Sequence, residues 1–500
     1  AATSGTSAAT SGTSAATSGT SAATSGTSAA TTGTSRATSG TSAATSAATS
    51  GTSAATSAAT SGTSAATSAA TSGTSAATSA ATSASPSAIM MGNRDILLPT
   101  LFIVFILSGI KQIIIHPDMN SPTPQTINTP AGKVLCVADL RGNISQLNDL
   151  VDQTGAKLVI HCGDFGFYER DSLNRISDRT LKHLVQYSTL IPPALRTRLL
   201  QSTVTPDSLR SQIRASSTHI LSELPLFLAG QKQLKAPVYT VWGACEDVSV
   251  LEKFRSNDYS IPNLHIIDES ATAVIDMGGV KLRLFGLGGA IAQHKLFDIG
   301  DGTATIAGGS GTMWTTALQI GQLVDTAQKV FDPTETRILI SHASPGREGI
   351  LAQLSLVLKA DFTISAGLHF RYGISYNEFG VQGDQELYRN KLVNSQKSFM
   401  DMWEGIKTHV ESNISDEQRV LLENCLSVVN RLPAVNTLPN DKDEAAFKNM
   451  WNFNLPDAAS GLLLLDISQG RIATETRSHG FNFSYRRNNV SLRSGSPVVA

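Results

Sequence analysis

Short apolar runs, each closed by a polar or ligand-capable residue, recur along the chain after residue 131. Lys133–Ala138 (KVLCVA) runs into Asp139, and Lys157–Cys162 (KLVIHC) into Gly163-Asp164. Pro237–Trp242 (PVYTVW) runs into Gly243, and Arg337–Ile340 (RILI) into Ser341-His342. Asp361–Ser365 (DFTIS) runs into Ala366-Gly367-Leu368-His369. These runs do not alternate, which is the pattern of strands buried on both faces of a sheet. Between them lie amphipathic segments. Ser145–Thr154 places Leu147, Leu150 and Val151 on one face, and Leu318–Val330 does the same with Ile320, Leu323, Val324 and Ala327. Strands alternating with helices predict a layered α/β fold. Val274–Leu287 reads as a hairpin turning at Gly278-Gly279, and Leu462–Asp466 with Arg471–Thr476 as a second hairpin. The stretches 171–235 and 384–458 carry helical spacing without strand-end polar residues and read as helical insertions. Asn436–Glu444, near the end of the second, reads as a flexible loop.

In open α/β sheets, sites form outside the carboxyl ends of the strands. Five strand ends bearing Asp, His, Cys or Glu therefore predict one shared site. Neighbouring residues have plainer readings. His161, inside a strand run, reads as a core histidine, and Glu246-Asp247 as the acidic start of a helix. Cys245 also reads as a small buried residue. Gly286–Gly289 is a tight turn rather than a dinucleotide loop, because GLGGA lacks the full glycine spacing.

Composition changes the picture at the front of the chain. Residues 1–88 are a repeat of Ala, Ser, Thr and Gly whose only charged member is Arg36. Without large apolar side chains nothing offsets the entropy of ordering, so disorder is expected there. The repeat reads as translated tandem-repeat sequence or as a Ser/Thr stalk. Residues 89–130 hold an apolar segment and a linker. Ile96–Ile110 is uncharged, and counted through Ile115 it reaches the length of a marginal membrane anchor. The alternative is sequence upstream of a start at Met119. The folded domain is expected over 131–486, followed by a disordered tail, 487–500.

The net charge of −1 argues against general nucleic-acid binding, which calls for a basic excess. Cys136, Cys162, Cys245 and Cys425 form no CxxC pair, and four cysteines in 500 residues do not make a disulfide framework. That usage fits a reducing, cytoplasmic compartment, the alternative being membrane attachment through residues 96–115.

Taken in order, the strand-end motifs resemble those of the calcineurin-like metallophosphoesterases, and most of all fungal members of unassigned function. Asp139-Leu140-Arg141-Gly142-Asn143 resembles their D-x-H-G-N opening, and Gly163-Asp164 their G-D motif. Gly243-Ala244-Cys245-Glu246 resembles G-N-H-[DE]. Ser341-His342 resembles the strand-terminal histidine, and Gly367-Leu368-His369 the closing H-x-H. The resemblance implies a four-layer αββα sandwich with helical insertions. It also implies a site for divalent metal (Mn, Zn or Fe; one ion, two or none) and a phosphate-ester ligand or substrate. Carried over by position, Asp139, Asp164, His342 and His369 would be metal ligands, Asp164 bridging. The carry-over also makes Asp164, Arg141 and Cys245 the catalytic positions, and Arg141 and Asn143 the substrate contacts. The match is incomplete. Arg141 replaces a ligand His, and guanidinium cannot ligate a cation. Ala244 replaces a ligand Asn, Cys245 a catalytic His, and Gly367 another ligand His.

Three functional expectations follow. The first is a one-metal hydrolase on Asp139, Asp164 and His369, with Arg141 supplying the missing cation's charge to the phosphate. The second is a two-metal site rebuilt with Cys245, Glu246 or Asp247 as substitute ligand. The third is a catalytically inactive fold that binds a phosphate ester, or binds a protein partner through the insertions.

Overall fold

Burial on both faces is what makes the apolar runs into strands. Val134–Val137, Leu158–His161 and Arg337–Ser341 are buried without a break. The computed structural model describes residues 126–216, 220–301, 305–368, 372–378, 385–433 and 449–480. In chain order the strands begin with β1 (Thr126–Thr129), β2 (Gly132–Val137), β3 (Ala156–His161), β4 (Val238–Thr240) and β5 (Leu264–Ile266). Then come β6 (Ala273–Met277), β7 (Val280–Leu287), the short pair β8 (Gly308–Gly309) and β9 (Thr312–Met313), and β10 (Thr336–Ser341). The last are β11 (Phe362–Leu368), β12 (Ile374–Tyr376), β13 (Trp451–Pro456), β14 (Gly461–Ser468) and β15 (Arg471–Ser478). The helices are α1 (Ser145–Thr154), α2 (Ser172–Arg175), α3 (Asp178–Tyr187), α4 (Pro193–Leu199), α5 (Pro206–Ala215) and α6 (Leu224–Leu228). They continue with α7 (Val248–Arg255), α8 (Ala317–Lys329), α9 (Gly349–Val357), α10 (Gln385–Glu411) and α11 (Asp416–Val429).

Two sheets carry the fold. One has seven strands in the order β1-β6-β7-β10-β11-β13-β12, the other six in the order β15-β14-β2-β3-β4-β5. Three apolar clusters define four layers. Val134, Cys136 and Ile160 of the six-stranded sheet meet Ile275, Leu284 and Ile340 of the seven-stranded one, so the sheets pack face to face. The outer face of the six-stranded sheet buries Leu135 and Val159 against Leu147 of α1 and Leu251 of α7. The outer face of the seven-stranded sheet buries Phe285 and Leu339 against α8, α9, α10 and α11. This is the α/β sandwich expected from the alternation of strands and helices.

The first insertion, α2 to α6, builds a small core of its own from Leu173, Leu181, Leu184, Leu209 and Ile213. Ser177 and Thr205 cap α3 and α5 by accepting from Thr180 N and Ser208 N.

Three boundaries are corrected. The sheet begins before residue 131, because β1 pairs in parallel with β6. The second helical stretch, expected over 384–458, holds α10 and α11 but ends in β13, which lies parallel to β11 inside the seven-stranded sheet. Asn452 and Asn454 weaken the strand pattern of Trp451–Pro456, because asparagine is depleted in strands. One end of each amide is met inside: Asn452 Oδ1 accepts from Thr363 Oγ1 at 2.7 Å, and Asn454 Nδ2 donates to Ser344 Oγ at 3.0 Å. The closing hairpin also runs two residues longer on its second strand than Arg471–Thr476. The repeat, the apolar segment 96–115, the loop 436–444 and the tail 487–500 lie outside the described residues. Among the described residues no helix is long and apolar enough to cross a membrane.

Candidate metal and phosphate site

The loops that leave β2 and β3 stay hydrogen-bonded past the ends of their strands. Asp139 N donates to Gly163 O at 3.1 Å, Arg141 N to Asp164 O at 2.8 Å and Gly142 N to Phe165 O at 2.9 Å. To do so Asp139, Arg141 and Asp164 adopt left-handed backbone, at φ of 56°, 45° and 53°. Non-glycine residues held there store about 1–3 kcal/mol each and cluster at functional sites. The loop after β4 approaches so closely that a Cβ on Gly243 would lie 1.9 Å from Asp164 Oδ1. Glu246, fully buried, ties the loops together. Its carboxyl accepts from Gly243 N at 2.6 Å, Gly166 N at 2.7 Å and Phe167 N at 3.1 Å. Asp247 caps α7 through Ser249 N and accepts from Ser172 and Arg175. Glu246 thus accepts from three backbone N–H groups and Asp247 caps a helix, as the helix-start reading expects. His161 lies in the core with Nδ1 2.9 Å from Thr240 Oγ1, and burial lowers it to about 3.

Asp139, Asp164 and His342 converge, each offering a ligand atom within 4.8 Å of the others. His342 Nδ1 lies 3.1 Å from the Cys162 carbonyl. A carbonyl only accepts, so Nδ1 is the donor there, and Nε2 lies 4.0 Å from Asp164 Oδ1. Fixing the tautomer through the far nitrogen is how proteins orient metal-binding histidines.

Arg141, where the motif resemblance expects a histidine, brings a charge of its own. Its side chain is 2% exposed. Nη1 donates to Asp457 Oδ2 at 2.7 Å and Nη2 to Asp457 Oδ1 at 3.3 Å. Nη2 also lies 3.1 Å from Asp139 Oδ2, and Nε 3.9 Å from Asp164 Oδ2. Tyr187 of α3 covers the guanidinium at 5.4 Å. Burial opposes the charge, but Asp139, Asp164 and Asp457 together hold its pKa above the usual range. The guanidinium thus faces three carboxylates.

Asp457 was not anticipated. It follows β13 and bridges to Ala138 after β2, with Ala458 N donating to Ala138 O at 2.7 Å. It is a further strand-end acid, and the strand-end rule would have found it had β13 been recognised. His183 of α3 was also missed. It lies with Asp164 and Cys245 in a second group whose ligand atoms are within 4.8 Å of one another. Nothing in the spacing of an insertion helix announces such a contact. Cys245 N donates to Asp164 Oδ1 at 2.9 Å, and burial with the nearby Asp164 charge holds its thiol protonated. Asn143 turns away, donating to Thr189 Oγ1 at 2.8 Å. His369 lies outside the described residues.

Burial pushes the Asp139 carboxyl up to about 7, with Arg141 pulling it down and the Asp164 charge raising it further. Burial and Asp164 push Glu246 up to about 8. A raised carboxyl is bound by more protons in the folded than in the unfolded chain between its two pKa values. Its stabilisation is complete below the unfolded pKa and is lost as pH rises through the folded one. Below pH 6.5 the buried His161 works the other way, so the clean window is pH 6.5 to 8. The melting temperature of metal-free protein should fall across that window, and Glu246→Gln should flatten the slope. A melting temperature constant or rising from 6.5 to 8 would contradict this.

The donor set fits one divalent cation on Asp139, Asp164 and His342, two carboxylates and an imidazole being suited to Mn, Zn or Fe. It does not fit a second at the Arg141 position, where a guanidinium already sits among the carboxylates.

A family model described as a protein of unknown function (DUF2433) matches residues 372–486. That segment holds β12 to β15 and Asp457, while the other site residues precede it. No curated protein matches the sequence. Among solved structures, a dimetal phosphatase from Danio rerio is similar at 8% identity and a TM-score of 0.30, over 70% of this chain and 96% of that one.

Proposed function

We propose that the chain is a phosphoesterase-type protein that holds one divalent cation on Asp139, Asp164 and His342 and takes a phosphate ester against it. The observation that carries this is the convergence of Asp139, Asp164 and His342, each offering a ligand atom within 4.8 Å of the others. A bound cation would polarise a phosphoryl oxygen as a Lewis acid. The residues of the chain do the rest. Asp164 and His342 present the ligand atoms, and Arg141 fixes Asp139 through the carboxylates rather than by touching phosphate. Cys245 stands where the resemblance calls for a histidine, and a thiol held protonated by burial is a poor proton donor.

Turnover should therefore depend on the leaving group. p-Nitrophenyl phosphate is expected to be hydrolysed in the presence of Mn²⁺ or Zn²⁺ and not after chelation, and an alkyl phosphate at least about 100-fold more slowly, the lower end of the span for a lost general acid. Equal rates on the two esters would contradict the assignment at Cys245. The absence of cation-dependent turnover and of cation-dependent ester binding would contradict the function itself. The missing acid also favours a second reading, binding of a phosphate ester without turnover, with the insertion helices available to a protein partner. Cation-dependent binding of the esters without hydrolysis is its signature.

A further inference from the structure

Helix α3 belongs to the first insertion, yet it reaches into the site. Its inner face packs Leu181, Leu184 and Val185 into the insertion core. Its C-terminal end is tied to the loop after β2, since Ser188 Oγ donates to the Arg141 carbonyl at 3.0 Å in a buried hydrogen bond. That anchoring holds His183 beside Asp164 and Cys245, with one ligand atom of each inside a 4.8 Å spread. Cys245 is fixed as well. Its carbonyl accepts from the Tyr168 hydroxyl, the Ala244 carbonyl accepts from Met313 N at 3.0 Å, and its own N–H is held by Asp164.

We propose that Asp164, His183 and Cys245 form a second cation position, of zinc-like preference, that shares Asp164 with the first. This rests on the reading above only in giving Asp164 a role at both positions. The donors are one carboxylate oxygen, one imidazole nitrogen and one sulfur. A thiolate among the ligands selects softer ions such as Zn²⁺ over Mg²⁺ or Mn²⁺. Zinc bonds of about 2.0–2.3 Å set ligand atoms roughly 3.5 Å apart in a tetrahedron, so small side-chain rotations close the observed spread. As the ion binds, the thiol proton leaves to solvent. Three protein ligands leave a fourth position open, the arrangement of catalytic rather than structural zinc. His183 and Cys245 are each half-buried, and His183 also lines an open groove of about 480 Å³ along α3 with Asp178, Arg179, Lys182, Gln186 and Tyr187. The chain thus departs from the family pattern at Ala244 and Cys245 while regaining a ligand from the insertion.

Cobalt(II) titrated into the metal-free full-length chain is the test, because thiolate ligation gives it a near-ultraviolet charge-transfer band that oxygen and nitrogen ligands do not. The band is expected in the native chain. Cys245→Ser should abolish it, and His183→Gln, a change at a half-buried position on the helix, should weaken cobalt affinity at this position at least about tenfold. His342→Ala should keep the band while taking up one ion fewer. That outcome separates the two positions, since the band reports only the one with sulfur. A native chain with no thiolate band, or a band that survives Cys245→Ser, overturns the proposal.

Discussion

Asp164→Asn is expected to lower cation-dependent ester turnover by at least about 100-fold, the scale of removing one preorganised charge from a reacting centre. The same change should leave the melting temperature of the metal-free protein unchanged or higher. Asparagine keeps the shape that Gly243 accommodates, and its carbonyl can still accept from Cys245 N. What it removes is a charge that raises the carboxyls of both Asp139 and Glu246. Without a cation those like charges work against the fold, so neutralising one relieves them. Function and stability should therefore part at this residue. Activity assays and thermal melts on the same preparation check it, and a variant that loses several degrees along with its activity would place Asp164 in the scaffold instead.

Arg141→Met makes the opposite prediction. The guanidinium offsets Asp139 and Asp457 directly and Asp164 at longer range. Removing one partner of a buried ion pair leaves uncompensated charge and costs about 3–5 kcal/mol. Methionine fills much of the volume, so the loss is electrostatic rather than a cavity. Millimolar Mn²⁺ or Zn²⁺ should restore part of it, since a ligand bound only by the folded chain stabilises by mass action. Chemical denaturation with and without the cation reads both effects. Native stability in the variant would mean that the three carboxylates do not depend on Arg141.

Much of the site was legible because its residues sit where apolar runs stop. Asp139, Asp164, Cys245 and His342 all follow strands whose continuous hydrophobicity marks them as buried. The switch from apolar to ligand-capable residue is local, and sequence records local switches well. Asp457 obeys the same rule, but its strand, Trp451-Asn452-Phe453-Asn454, hides behind two asparagines that find partners only in the folded sheet. The role of Arg141 was half legible. Its replacement of a ligand was visible, whereas its commitment to Asp457, 316 residues away, was not. His183 was the least legible, since its value depends on where an insertion helix lands. Asn143 shows the reverse: a motif position can match while its side chain is turned to Thr189, in the turn after α3.

The account rests on a cation held at Asp164. The most direct test is the metal content, by mass spectrometry, of the full-length chain equilibrated with Mn²⁺, Zn²⁺ and Fe²⁺, beside that of Asp164→Asn. At least one equivalent in the native chain, lost in the variant, is the predicted result. A native chain free of metal, or a variant that keeps its full content, would contradict it.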